Sequence, residues 1–183
     1  MKNLKFLLQY IFKPRTVGAV LPSSKYLAKK MVASINFDAA KCIVEYGPGT
    51  GVFTELILQK CNPGTTVVLF EMNEEFCSLL AKRFGQNVHI VNASAANIGA
   101  TLAQLGLQYA DYIVSGLPFA SLPQDVTVNI LSQTKKCLSP RGEFITFQYS
   151  LLKKGMIGKF FTKIETVREL RNVPPAYVLR CRN

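Results

Sequence analysis

Two clusters in this chain have the residue types and spacing that chemistry needs. The first is Glu45-Tyr46-Gly47-Pro48-Gly49-Thr50-Gly51. Glycines at alternate positions allow positive φ and let a ligand approach the amides that open a helix. Glu71 stands 20 positions after Gly51, where a carboxylate can accept both hydroxyls of a ribose. Loop and acid together predict a nucleoside-containing cofactor. The second cluster is Ser115-Gly116-Leu117-Pro118-Phe119. A polar group or carbonyl there can accept a substrate N–H, and the ring of Phe119 can pack on the substrate. The plainer alternative makes this a turn whose Phe119 joins the core. Tyr149 is open to the same two readings, a ring that packs on a substrate or an ordinary strand-end aromatic.

These clusters need elements to position them, and the hydropathy pattern supplies them. Strands are expected at Cys42–Tyr46, Thr66–Glu71, Val88–Asn92, Asp111–Ser115, Glu143–Tyr149, Ile164–Leu170 and Ala176–Cys181. Helices are expected at Val52–Lys60, Asn73–Phe84, Ala96–Leu105, Gln124–Cys137 and Lys154–Phe161, with Ser139-Pro140-Arg141-Gly142 as a turn. Strands alternating with helices at this spacing predict a doubly wound α/β domain, its parallel sheet covered on both faces. The glycine loop then falls between the first strand and its helix, and Ser115–Phe119 at the carboxyl end of the fourth strand. Ligands bind such sheets at that edge. His89 lies beside the third strand, away from it, and reads as structural.

Residues 1–36 precede the core at 37–183 and form a helical extension of one 183-residue domain. Met1–Lys13 places Leu4, Leu7, Leu8 and Ile11 at helical spacing, with Lys5, Gln9 and Lys13 on a narrow opposite face. It reads either as a helix packed on its own domain or as one lying in a lipid headgroup layer. A second helix is expected from about Ser24 to Ile35, capped by Ser23 or Ser24.

Composition bounds the partners. With 49% hydrophobic and 18% charged residues, the chain is no disordered polymer. Twenty-two Lys and Arg against 11 Asp and Glu give a net charge of +11, which calls for a polyanion: nucleic acid or an anionic membrane surface. Five scattered cysteines without a CxxC, and a single histidine, predict neither a zinc site nor a disulfide framework. No metal is expected. No apolar run reaches the roughly 18–20 residues of a membrane span, so the expected location is the cytoplasm, peripherally associated with the inner membrane.

The GxGxG spacing, with Glu45 two residues before it, resembles the S-adenosylmethionine loop of class I methyltransferases. That resemblance implies a Rossmann-like, mostly parallel seven-stranded sheet and S-adenosylmethionine as cofactor. Carried over, it assigns cofactor contacts to Glu45, Gly47, Gly49, Thr50 and Gly51, to Glu71 and Met72, and to Ser94, Ala95 and Ser115. The family often has an acid at the end of the third strand. Here Asn92-Ala93-Ser94-Ala95 stands instead, so Ser94 or a backbone group takes that place. Ser115–Phe119 is similar to the NLPY motif of ribosomal RNA adenine dimethylases.

The whole chain resembles small bacterial phospholipid N-methyltransferases that methylate phosphatidylethanolamine. The resemblance rests on Phe12–Ser24, Glu45–Thr54, Ser115–Leu122, Phe147-Gln148-Tyr149-Ser150 and Arg171–Val178. It implies N-methylation of phosphatidylethanolamine or a related aminophospholipid at a membrane surface bound by the N-terminal helix. Ser115 and Tyr149 are then the catalytic candidates, and Pro118, Phe119, Tyr149, Arg15 and Lys25 the substrate contacts. Arg171 and Arg180 are further candidates for the lipid phosphate. An activated methyl needs an aligned neutral amine, gained mainly from proximity. A lysine-like ammonium has a pKa near 10.4, so desolvation must favour its neutral form, with Tyr149 or a water held by Ser115 taking the proton. Methylation of ribosomal RNA adenine is the second expectation, and a non-catalytic membrane-surface protein the third.

Overall fold

A computed structural model describes residues 24–183. The expected helix at Met1–Lys13 and the candidate Arg15 lie outside the described residues. Helix α1 (Lys25–Val32) precedes the sheet and is capped by Ser24, whose Oγ accepts from Leu27 N at 3.1 Å. The strands are β1 (Cys42–Tyr46), β2 (Thr66–Phe70), β3 (His89–Val91), β4 (Ala110–Ser115), β5 (Leu138–Gln148), β6 (Lys163–Glu169) and β7 (Ala176–Arg182). All belong to one sheet in the order β3-β2-β1-β4-β5-β7-β6. Strands β1 to β5 run parallel, and β7 is antiparallel to both its neighbours. All five residues of β1 are buried, as a central parallel strand covered on two faces requires.

One face is covered by α1, α2 (Val52–Leu58) and α3 (Glu74–Phe84), packed through Leu27, Met31, Phe53, Ile57 and Leu80. The other carries α4 (Ile98–Gln104), α5 (Gln124–Cys137) and the short α6 (Lys154–Ile157), through Ile98, Leu102, Ile130, Leu131 and Ile157. Helix α3 shows how locally such elements are specified. Asn73 caps it by accepting from Phe76 N at 3.0 Å, Glu74 and Glu75 open it, and Lys82 and Arg83 close it. Each charge sits at the end of the helix dipole that it favours.

Three expectations are corrected. Ser139-Pro140-Arg141-Gly142 is no turn between elements: β5 starts at Leu138, and its register with β4 shifts between Ala110 and Tyr112. A bulge accommodates the Pro and Gly, and Gly142 is needed because a Cβ there would lie 2.8 Å from Asp111 O. The helix expected from Ala96 begins as a 3-10 turn, Ala95–Asn97, ahead of α4. Helix α6 stops at Ile157, not Phe161, and Phe161 instead stacks on Phe144 with ring centres 5.4 Å apart.

Helix α1 is fastened to the β6–β7 hairpin by polar groups. Ser24 N donates to Asn172 Oδ1 at 3.0 Å, and Lys30 Nζ donates to Arg168 O at 3.0 Å. Lys30 also pairs with the buried Glu169 at 3.3 Å. Glu169 accepts from Arg171 N at 2.9 Å and from its guanidinium. The Arg171 backbone N–H, then hydrogen bonds from the Arg171 and Lys30 side chains and the Lys30 charge, hold the Glu169 carboxyl below its ordinary value of 4.5 against the opposing effect of desolvation. A lowered carboxyl stabilises the fold fully above the unfolded value and loses that contribution as pH falls through the folded one. Glu169→Gln should therefore be less stable than the parent by about 1–3 kcal/mol at neutral pH. The two urea midpoints should converge as pH drops below 4.5. A gap that stays constant down to acid denaturation would show that the Glu169 charge contributes nothing.

Candidate active site

The glycine loop is shaped by three left-handed residues, Gly47, Gly49 and Gly51, at φ of 64°, 55° and 85°. Each is confined differently. A Cβ on Gly51 would meet Phe84 at 2.6 Å, and one on Gly47 would meet Leu117 at 3.0 Å. A Cβ on Gly49 would meet nothing within 4 Å, so the middle of the loop faces open space on that side while its flanks are wedged. Arg83 secures the far end by donating to Thr50 O and, at 3.0 Å, to Glu55.

Glu71 follows β2 and spans the loop opening. Its Oε2 accepts from Gly49 N at 3.1 Å, and its Oε1 accepts from Met72 N at 2.8 Å and Asn73 N at 3.0 Å. Asn92, where the expected acid is missing, donates to Glu71 O at 3.0 Å, so it braces the backbone behind the Glu71 carboxylate. Ser94 caps the following 3-10 turn by accepting from Ala96 N at 3.3 Å, and Ala95 is buried beneath it. The structure thus gathers the loop, Glu71, Met72, Ser94 and Ala95 at the carboxyl ends of β1, β2 and β3.

Glu45 is fully buried on β1. Thr54 Oγ1 donates to its Oε2 at 2.7 Å, while Oε1 has no hydrogen-bond partner. Desolvation, opposed by the Thr54 bond and aided by the Glu71 charge, pushes its pKa up to about 8. A buried unpartnered carboxyl oxygen is costly unless something binds it. The donor set fits S-adenosylmethionine: an open glycine loop, an orphan acid at its base, and an acid facing the ribose side.

The second cluster occupies the same edge. Tyr46 pairs with Ser115 across β1 and β4, and Gly116 N donates to Tyr46 O at 2.8 Å. Ser115 is buried, and its Oγ accepts from Leu117 N at 3.2 Å, so it shapes its own turn. Pro118 is half-buried. Phe119 does not wall the cleft: it is fully buried, edge-to-face with Phe144 at 6.2 Å. Its position after the turn drives it into the core, the plainer of its two readings. Tyr149 is 38% exposed and stands edge-to-face with Phe147, which meets Phe53 in the same way. Burial raises its hydroxyl pKa against a hydrogen bond from Asn172. Tyr149 therefore stays a phenol through neutral pH, able to accept from an amine but not to act as an ionised base.

Lys25 is exposed in the first turn of α1, and Arg171 packs on Tyr26 at 4.2 Å from the ring centre. Arg180 lies within β7, bound to Glu165 at 3.3 Å, and is no cleft residue. Two further residues hold this side together. Gln148 Nε2 donates to Phe147 O at 2.6 Å and reaches Leu117 O at 3.5 Å. Asn172 joins Ser24, Tyr149 and, at 2.7 Å, Pro174 O. Both lie in Phe147–Ser150 and Arg171–Val178, segments whose resemblance carries no role for them. All five cysteines are free, and burial raises the thiols of Cys42 and Cys181 to about 12.

A doubly wound sheet with a glycine loop after β1 and an acid after β2 defines an S-adenosylmethionine-dependent methyltransferase of Rossmann-like fold. The fold is shared with 1,6-didemethyltoxoflavin-N1-methyltransferase of Burkholderia thailandensis, solved with S-adenosylhomocysteine. That likeness has a TM-score of 0.71 at 15% identity, over 100% of this chain and 87% of that one. The chain belongs to the ribosomal RNA adenine dimethylase family, whose model matches residues 20–157. It is 33% identical to an ornithine lipid N-methyltransferase of Singulisphaera acidiphila, over 100% of this chain and 97% of that relative. It is also 28% identical to ribosomal RNA small subunit methyltransferase A of Hydrogenobaculum sp., over 68% of this chain and 46% of that one.

The Glu45 carboxyl gives a pH test with the opposite sign to that of Glu169. A raised carboxyl leaves the fold most stable below its unfolded value and costs stability as pH rises towards the folded one. The melting temperature should fall between pH 4.5 and about 8 relative to Glu45→Gln, then level off. Calorimetric affinity for the cationic cofactor should rise over the same interval in the parent and stay flat in the variant. Parallel melting curves would show that Glu45 is already ionised at neutral pH.

Proposed function

We propose that this methyltransferase transfers methyl groups to the amine of an aminolipid at a membrane surface, with phosphatidylethanolamine or a related aminophospholipid as acceptor. The observation that carries the reading is the match across both whole chains to a lipid N-methyltransferase. The match to the ribosomal RNA enzyme spans less than half of that relative.

S-adenosylmethionine supplies an electrophilic methyl group, so this chain's task is to desolvate and align a neutral amine. Burial of Ser115 and the Phe53–Phe147–Tyr149 aromatic series give the acceptor side a low dielectric, which favours the uncharged amine. Tyr149 offers a phenol oxygen to its N–H, and its ring a face for the more cationic methylated products. Gln148 and Asn172 act as positioning residues. Gln148 links the end of β5 to the Ser115–Phe119 turn, and Asn172 steadies Tyr149. Lys25 and Arg171 are the described cations placed to meet a lipid phosphate.

Family membership and the +11 charge favour a second reading, RNA adenine methylation. Incubation with labelled cofactor separates the two. Vesicles containing phosphatidylethanolamine or ornithine lipid should yield mono-, di- and trimethyl products, while stripped ribosomal RNA should take up little label. Label confined to RNA, or absent from every aminolipid while calorimetry shows cofactor bound, refutes the lipid reading.

A further inference from the structure

The exposed large apolar side chains are not scattered. Among the described residues, Leu79, Tyr109 and Val128 lie elsewhere, and the others gather on one rim. Leu151 and Leu152 follow the end of β5, while Leu170 and Val173 sit in the β6–β7 connection. Leu152 is 87% exposed, Val173 69% and Leu170 63%, values at which a side chain is in water and supports no core. The two loops are neighbours by construction. Gln148 pairs with Tyr177, Glu169 pairs with Ala176, and Tyr149 meets Asn172. Both stand at the carboxyl edge, beside the acceptor side of the cleft.

Their charge is one-signed. Lys153 and Lys154 follow the leucines, Arg171 stands between Leu170 and Val173, and no Asp or Glu occurs in 149–162 or 170–183. The acid at the base of the rim, Glu169, is buried and engaged by Arg171 and Lys30. Apolar side chains framed by cations suit the boundary between lipid headgroups and acyl chains. A nucleic acid gains from the cations but gains little from solvent-exposed Leu and Val, because its contacts are made by charge, hydrogen bonds and stacking.

We infer that the loops 149–154 and 170–175 form a second membrane-docking surface, inserting Leu152 and Val173 into an anionic bilayer and presenting the cleft to the headgroup layer. This rests on the aminolipid reading and adds to it a surface separate from residues 1–13. Docking there shortens the path of a headgroup amine to Tyr149, because that residue opens the inserting loop.

The chain contains no Trp, so a single introduced indole reports its own environment. Leu152→Trp and Val173→Trp, in the full chain, should shift to the blue on phosphatidylglycerol-containing vesicles and be quenched by brominated acyl chains. Val128→Trp on α5 should do neither. The double variant Leu151→Asp/Leu152→Asp should lose at least tenfold in vesicle affinity while its calorimetric affinity for the cofactor is unchanged. Three results overturn the inference: vesicle binding without quenching at 152 or 173; an indole at 152 already blue-shifted in solution and insensitive to lipid, which would place another segment of this chain over the rim; or a response to RNA in place of vesicles. Methyl transfer to detergent-dispersed aminolipid separates the two claims. Transfer in micelles without bilayer quenching leaves the function standing and removes the rim, and quenching without transfer to any aminolipid does the reverse.

Discussion

The site depends on a close approach of two backbone segments between β1 and β4, the point where the strand order reverses. Sheet hydrogen bonding continues past the strands there: Gly47 N donates to Phe70 O at 2.9 Å and Gly116 N to Tyr46 O at 2.8 Å. A Cβ on Gly116 would lie 2.8 Å from Gly47 O, and one on Gly47 would press on Leu117. The cofactor loop and the Ser115–Phe119 turn are thus one packed unit. Glu71 extends it towards β2 through Gly49 N, and Gln148 extends it towards β5 through Leu117 O. Four strand ends are joined in a row, so the relative placement of the glycine loop and the Ser115–Phe119 turn is set by the sheet. Since the methyl group arrives activated, such placement is the main thing that the protein must supply.

The same architecture explains why the surface is more basic than the net charge conveys. Of the 11 acids, Glu45, Glu71, Glu143 and Glu169 are buried. Each has interior work: Glu45 at the base of the loop, Glu71 across its opening, Glu143 accepting from Ser34 and Arg182, and Glu169 under α1. Their partners come from the backbone, from hydroxyls and from only a few cations. Among the described residues Lys30 is the one lysine in an ion pair, and most of the others are exposed.

How much of this could be read from the sequence follows from the range of each interaction. The limits of β1 and α5 matched the expectation because both are dictated locally, one by an apolar β-branched run and the other by a proline before it and a periodic face. The start of β5 did not, since Pro140 and Gly142 signal a turn wherever they stand, and only pairing with β4 converts that signal into a bulge. Phe119 shows the same limit for the site. An aromatic residue after a polar turn looks like a substrate wall until the ring of Phe144, distant in sequence, claims it. Gln148 and Asn172 act across 31 and 148 residues, a range over which no pattern in a single sequence carries information.

Asn172 also shows how the two halves of the cleft differ. The cofactor half is built from β1, β2 and β3 by short loops that tolerate little change, because positive φ and backbone contacts fix them. The half proposed here for the acceptor is assembled from distant pieces: the end of β5, the β6–β7 connection and the start of α1. Asn172 holds them together with one side-chain amide, Lys30 and Glu169 reinforce the seam, and Arg171 closes it over Tyr26. Such polar, one-bond joints can be altered without disturbing the glycine loop. The division suits a scaffold that resembles relatives named for both ornithine lipid and ribosomal RNA, with chemistry fixed on one side and the other side free to vary.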